Sequence, residues 1–172
     1  FTGPDGLGAT TKSSNAILID GSATGIAFIE NVQAFYFGGV GAYGLSLAGA
    51  VNGAPEGNRI VNFQGSFNDG CISLVNASNA SMLINPVCNT SVHDQIYVEG
   101  TQGVAIIGGT VQSGRRNGLH LRGAINVKVD SVHFEANAST CAASNSQNQG
   151  IWSAGATYAI NDLVYVGQLI IG

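Results

Sequence analysis

Charge is scarce in this sequence. Acidic and basic side chains make up 9% of it, ten of one sign and six of the other, for a formal net charge of -4. A soluble domain usually carries about 25%. A nucleic-acid groove needs a basic surface, so no nucleic-acid partner is expected. Long apolar runs are missing too, and no membrane insertion is expected. Glu, Lys and Arg are too few, and Gly too frequent at 25 residues, to sustain helices. Cysteine occurs only as Cys71, Cys88 and Cys141. The odd count argues against a full disulfide framework, and no CxxC spacing points to a metal. These residues read as small core side chains, with a Cys71–Cys88 bridge inside one repeat left open. His93, His120 and His133 are spread along the chain without metal-ligand spacing, so neither a metal nor a cofactor is expected. Phe1 opens in a Gly-rich stretch without the basic start and apolar core of a secretory leader. The chain is read as a piece of a longer protein.

What is present is a phrase that returns. Ala16–Gly21, Gly44–Gly49, Cys71–Asn76, Gln95–Gly100 and Gly118–Gly123 are each a short alternating apolar strand closed by Gly or Asn. Anchored on Ile17, Leu45, Ile72, Ile96 and Leu119, the steps are 28, 27, 24 and 23 residues. A near-constant period of this size marks stacked repeats. A second turn column follows at Gly25, Asn79, Gly103 and Asn126, then a second apolar strand, then a third column at Asn31, Asn85, Gly109 and Ser131. Gly and Asn accept a left-handed backbone most readily, so each column predicts a bend at one phase of every repeat. The unit at Leu45 carries a longer excursion, Val51 to Asn58, before Ile60-Val61-Asn62-Phe63 resumes.

This pattern predicts an all-β parallel β-helix of about five coils, each of three short strands, stacked about 4.8 Å apart. Residues 1–137 form the β-helix, 138–149 an Asn/Ser-rich linker, and 150–172 the start of a small β segment. A surface held soluble by amides and hydroxyls suits an extracellular or virion setting and contact with sugars; burial against sister chains explains it equally. Four Asn-x-Ser/Thr sequons, at Asn76, Asn79, Asn89 and Asn137, are read as a by-product of composition.

Polar residues gather just before the repeated strand, at one phase of successive coils: Asn68-Asp69, His93-Asp94 and Arg115-Arg116-Asn117. In that register Asp69 and Asp94 become neighbouring carboxylates. Glycoside hydrolysis uses two carboxylates, about 5–5.5 Å apart for retention and about 6.5–9.5 Å for inversion. Asp69 and Asp94 are thus candidate catalytic residues, with His93 and Glu99 as companions. A solvated corner built from turn-forming residues is the plain alternative. Tyr97 and His120 alternate with the apolar anchors and should point outward. With Arg115 and Arg116 they are candidate carbohydrate-binding residues, on a face that is either a sugar platform or the contact between subunits. Glu99 and Arg122 should pair between adjacent coils, and His133 with Glu135 is a weaker acid–base candidate.

The segment Asn117–Asn137 resembles a coil of the pectate-lyase-like right-handed parallel β-helix superfamily. Within it, the Gly/Ser/Asn-rich, weakly charged texture is most similar to bacteriophage tailspikes and tail fibres. Trp152-Ser-Ala-Gly-Ala-Thr-Tyr158, followed by Asn161-Asp162-Leu163-Val164 and Gly167, resembles the start of small chitin-binding-type carbohydrate-binding modules. Asn161 replaces the usual Gly, and no aromatic follows Gly167 at the expected place. That resemblance implies sugar stacking by Trp152 and Tyr158, or a structural role for the same rings. The signatures of the pectin-cleaving families (Asn-Thr-Asp with Asp-Asp, Gly-His-Gly, Arg-x-Pro-x-x-Arg) are absent from the sequence. The resemblance implies a homotrimer in the virion tail, or else a secreted protein, whose partner is bacterial surface polysaccharide. Three readings stay open: a receptor-binding fibre without chemistry, a depolymerase (glycoside hydrolase or lyase), and an inert shaft. Outside phages, the alternative is a secreted polysaccharide-active enzyme.

Overall fold

A computed structural model describes residues 15–20, 26–39, 41–49, 56–76, 79–137, 148–151 and 163–165. Three five-stranded parallel sheets run along one axis. The first contains β1 (Ile17–Asp20), β4 (Tyr43–Ala48), β7 (Gly70–Val75), β10 (Ile96–Glu99) and β13 (Leu119–Arg122). The second contains β2 (Phe28–Glu30), β5 (Arg59–Val61), β8 (Met82–Ile84), β11 (Ala105–Ile107) and β14 (Lys128–Asp130). The third contains β3 (Gln33–Phe35), β6 (Gln64–Ser66), β9 (Val87–Asn89), β12 (Thr110–Gln112) and β15 (His133–Glu135). Each strand pairs with its equivalent one coil away, so the molecule is a parallel β-solenoid that fits the right-handed β-helix expected. Beyond it, β16 (Asn148–Ile151) and β17 (Leu163–Tyr165) pair in parallel.

The repeat anchors are the inter-coil partners: Ile17 pairs with Leu45, Leu45 with Ile72, Ile72 with Ile96, and Ile96 with Leu119. The longer excursion leaves that register intact, since β5 pairs residue for residue with both β2 and β8. Alternation sends one side chain in two to the interior. Leu45, Leu47, Ile72, Leu74, Ile96 and Val98 line the first sheet's inner face, and Ile60, Leu83 and Ile106 the second's; all are buried. The third sheet stacks Ala34, Gly65, Cys88, Val111 and Phe134. Phe63 fills the interior beside Gly65, where an added Cβ would crowd both Phe63 and the Cys71 sulfur. Cys71 of β7 and Cys88 of β9 form a disulfide across the core of one coil, 17 residues apart. The core reading of these two residues is therefore right about burial and wrong about the thiols: the close approach of two inner faces brings the sulfurs into bonding distance. Cys141 lies outside the described residues.

The bends are left-handed, with two shifts of one residue from the sequence columns. The first bend column has positive φ at Asn76, Gly100 and Gly123. The next falls on Gly57, Ala80, Gly103 and Asn126, so Ala80 takes the place expected of Asn79. Asn79 instead accepts the Gln102 amide one coil on, at 2.9 Å. The third column is Asn31, Asn62, Asn85, Gly108 and Ser131, set by the partners of Glu30; Gly109, also at positive φ, is one residue past it. There Asn62 donates to Asn31 and Asn85 to Asn62, both at 2.9 Å, forming an amide ladder. A fourth column, Tyr36, Phe67, Thr90, Ser113 and Ala136, carries no Gly or Asn and was not legible in the sequence. Its two aromatic rings stack with centroids 5.2 Å apart.

Candidate functional site

The polar cluster sits where the chain turns into β7, β10 and β13. The bend delivers Asp69 one residue before β7 and Asp94 two residues before β10. Counting back from the Ile72–Ile96 pair puts Asp69 level with His93, and Asp94 level with Gly70. The carboxylates are thus offset by one position, and each meets a histidine. His93 Nε2 lies 3.4 Å from Asp69 Oδ2. His120 Nδ1 lies 2.7 Å from Asp94 Oδ2.

The two acids differ in their surroundings. Asp69 is 3% exposed. Burial raises its pKa, against the opposing pull of His93, the Gly41 backbone amide and Arg116. Asp94 is saturated with donors. Its Oδ1 accepts the Asn117 backbone N–H at 3.2 Å and the Asn117 side-chain amide at 2.8 Å, while Oδ2 faces the His120 ring. A carboxylate can only accept, so in the neutral imidazole Nδ1 carries the proton and Nε2 keeps its lone pair.

Alternation in β10 and β13 turns Tyr97, Glu99, His120 and Arg122 outward, as the pattern predicts. Tyr97 and His120 are register partners, as are Glu99 and Arg122. The Tyr97 hydroxyl donates to Glu99 Oε2 at 2.6 Å. Arg122 Nη1 lies 3.2 Å from Glu99 Oε1, the expected inter-coil ion pair. The Tyr97 and His120 rings meet edge to face with centroids 5.1 Å apart. Burial and the Glu99 acceptor hold the Tyr97 hydroxyl protonated above its ordinary range, with Arg122 pulling the other way.

One member of the site was not singled out from sequence. Tyr43 begins β4 and pairs with Gly70. A Cβ at Gly70 would fall within the Tyr43 ring, so the phenol lies across the backbone of the next coil. Burial is the first cause that drives its pKa far up; the negative charges of Asp94 and Asp69 add to it. The signal was available: Tyr43 stands two residues before its anchor Leu45, as Asp94 stands before Ile96.

Arg115 and Arg116 are exposed at the bend before β13, and the Arg116 charge acts on both Asp69 and Tyr43. His133 Nε2 lies 3.2 Å from Glu135 Oε2 on exposed β15, apart in sequence phase from the cluster. Trp152 and Tyr158 lie outside the described residues. Among the described residues no group of three or more His, Cys, Asp or Glu side chains is arranged to hold a metal.

The arrangement offers an imidazole with a free nitrogen, a protonated phenol and exposed guanidinium groups on one outer face. Such a set can donate and accept protons and pair with a carboxylate. Comparison of the chain with protein-family models, with curated proteins and with solved structures finds no match.

Proposed function

We propose that this chain is the β-helical part of a receptor-binding protein of the bacteriophage tailspike or tail-fibre kind, and that its first sheet recognises bacterial surface polysaccharide. The observation that carries the reading is the row of polar side chains reaching the surface on consecutive coils, His93, His120 and the Tyr97–Glu99–Arg122 group, with buried Asp69 and Asp94 holding the two histidines from beneath. A polysaccharide is itself a repeating linear ligand, and a β-helix presents its side chains at a fixed repeat of about 4.8 Å. Aromatic edges, amides and a guanidinium on a weakly charged surface suit the hydroxyls and apolar C–H faces of sugars. In this proposal the chain works as a homotrimer in the virion tail.

Affinity electrophoresis of the full chain through gels cast with purified capsular polysaccharides and lipopolysaccharide O-chains tests it. At least one glycan should retard the protein. Tyr97→Ala should weaken that retention about tenfold, equivalent to roughly 1.4 kcal/mol. Uniform migration in every glycan sinks the reading, as does retention that the substitution leaves untouched. Sedimentation equilibrium checks the trimer separately.

A further inference from the structure

We infer that the outer face of the second sheet is the contact between copies of this chain, packed side by side and parallel; the inference rests on the homotrimer of the proposed function and names the face that builds it. Alternation decides what this sheet shows to solvent. Ile60, Leu83 and Ile106 turn inward and are buried, so the residues on either side of each turn outward. In the three middle coils these include Val61, Met82, Ile84, Ala105 and Ile107, all apolar and only partly buried. In the first coil Phe28 is 62% exposed. The other faces differ. Over the same middle coils the third sheet turns out Gln64, Ser66, Asn89, Thr110 and Gln112, with Val87 as its aliphatic exception. The first sheet carries the Tyr97–Glu99–Arg122 group. An apolar strip along one side of a weakly charged rod marks an interaction surface.

The charges at the ends of the strip point to a second copy as its occupant. Register pairing arranges the outward side chains in two columns. One runs from Phe28 and Arg59 to Lys128, the other from Glu30 to Asp130. Both bases of the face stand in the first column and both acids in the second. Within one chain Lys128 Nζ lies 3.4 Å from Asp130 Oδ2, and with side chains 68% and 49% exposed both still reach a neighbour.

Rotating a copy about an axis parallel to the rod sets the first column of one chain against the second column of the next, at the same height. Lys128 then meets the partner's Asp130. Arg59 stands one coil, about 4.8 Å, from the level of the partner's Glu30. The apolar residues of the middle coils meet between these charges, which gives the apolar centre and charged rim of a protein interface. Antiparallel packing instead sets like columns together and brings Asp130 against the partner's Glu30. The face thus complements itself in one orientation and repels itself in the other. The contact leaves the first sheet, with its recognition row, to the ligand.

Sedimentation equilibrium of the full chain over a range of concentrations tests it, with circular dichroism as the check on folding. The wild type should associate. Ile84→Glu should weaken association about thirtyfold or more, the loss at an interface hot spot, whereas Val87→Glu on the third sheet should leave it unchanged. Lys128→Glu and Asp130→Lys, at exposed positions, should each weaken it about tenfold. The double exchange Lys128→Glu/Asp130→Lys should restore it, because the facing columns are again opposite in sign. Association untouched by Ile84→Glu and by both charge reversals puts the contact on another face; it overturns this inference and leaves the homotrimer standing. Tighter association of Asp130→Lys marks antiparallel contact and overturns it too, as does a double exchange that restores nothing. A wild type that stays monomeric at every concentration removes the homotrimer and this inference together. Should Ile84→Glu fail to fold, the charge series decides alone.

Discussion

The ring of Tyr43 lies across Gly70 of the next coil, in the space a side chain there would fill. This contact links the packing of the first sheet to the candidate site, because the phenol beyond Gly70 lies in the field of Asp94 and Asp69. Gly70→Ala should force the ring aside and cost about 1–3 kcal/mol, the usual penalty of overpacking. Tyr43→Ala in the same background should recover part of that loss, because the collision partner is gone. Urea unfolding of the two single variants and the double variant reads the coupling directly. Additive losses would mean that the two residues do not touch.

Removing the Cys71–Cys88 bond should destabilise the fold without changing its architecture. Closing a loop of 17 residues falls in the range where a disulfide contributes about 2–4 kcal/mol. The Cys71→Ala/Cys88→Ala variant should show that loss in denaturant, and the wild type should show a comparable loss after full reduction. Equal stability of oxidised and reduced protein would contradict the bond's contribution.

The amide ladder offers a gain of stability. Asn31, Asn62 and Asn85 are linked, and the next member of the column, Gly108, has φ +64 with no atom within 4 Å of an added Cβ. Asn tolerates that backbone and can continue the ladder from Asn85. Gly108→Asn should stabilise by about 1 kcal/mol, through a less flexible unfolded chain and one more hydrogen bond. Gly108→Val occupies the same space with a branched side chain that resists positive φ, and it should destabilise.

Asp69 sets the sign of a pH effect. Burial raises its folded pKa above the ordinary carboxylate value, with His93, Arg116 and the Gly41 amide facing it. Its contribution to stability is thus complete below the unfolded pKa and is lost as pH rises through the folded one. Asp69→Asn cannot ionise and escapes that loss. The thermal midpoint of the variant minus that of the wild type should therefore increase from about pH 3 to about pH 7. A difference that falls over the same interval would mean that the His93 partnership outweighs burial.

Much of the architecture was legible because a β-helix writes one phrase repeatedly. The anchors Ile17, Leu45, Ile72, Ile96 and Leu119 are the register partners observed, since only one phase turns all of them toward the core. The bends were legible to within a residue: Asn79 adjoins the left-handed Ala80 and serves as a side-chain acceptor. Residue type alone does not separate an Asn that bends the chain from one that caps its neighbour. The column at Tyr36, Phe67, Thr90, Ser113 and Ala136 was invisible because none of its residues is the Gly or Asn that marks a left-handed bend in the sequence. At the candidate site, the outward Tyr97 and His120 and the Glu99–Arg122 pair followed from alternation. The partnership of each acid with a histidine did not, because it depends on an offset of one residue between coils. Tyr43 was passed over because nothing in the sequence shows that Gly70 of the next coil leaves room for its ring.

The disulfide acts as a hoop rather than a tie-rod. Both of its ends belong to the same turn of the solenoid, so it resists opening of the cross-section and contributes nothing against separation of one turn from the next. Axial cohesion rests instead on the backbone hydrogen bonds of the three sheets and on the Asn31–Asn62–Asn85 amides. Pulled along its axis, this rod should part between turns while the turn of Cys71 and Cys88 keeps its girth.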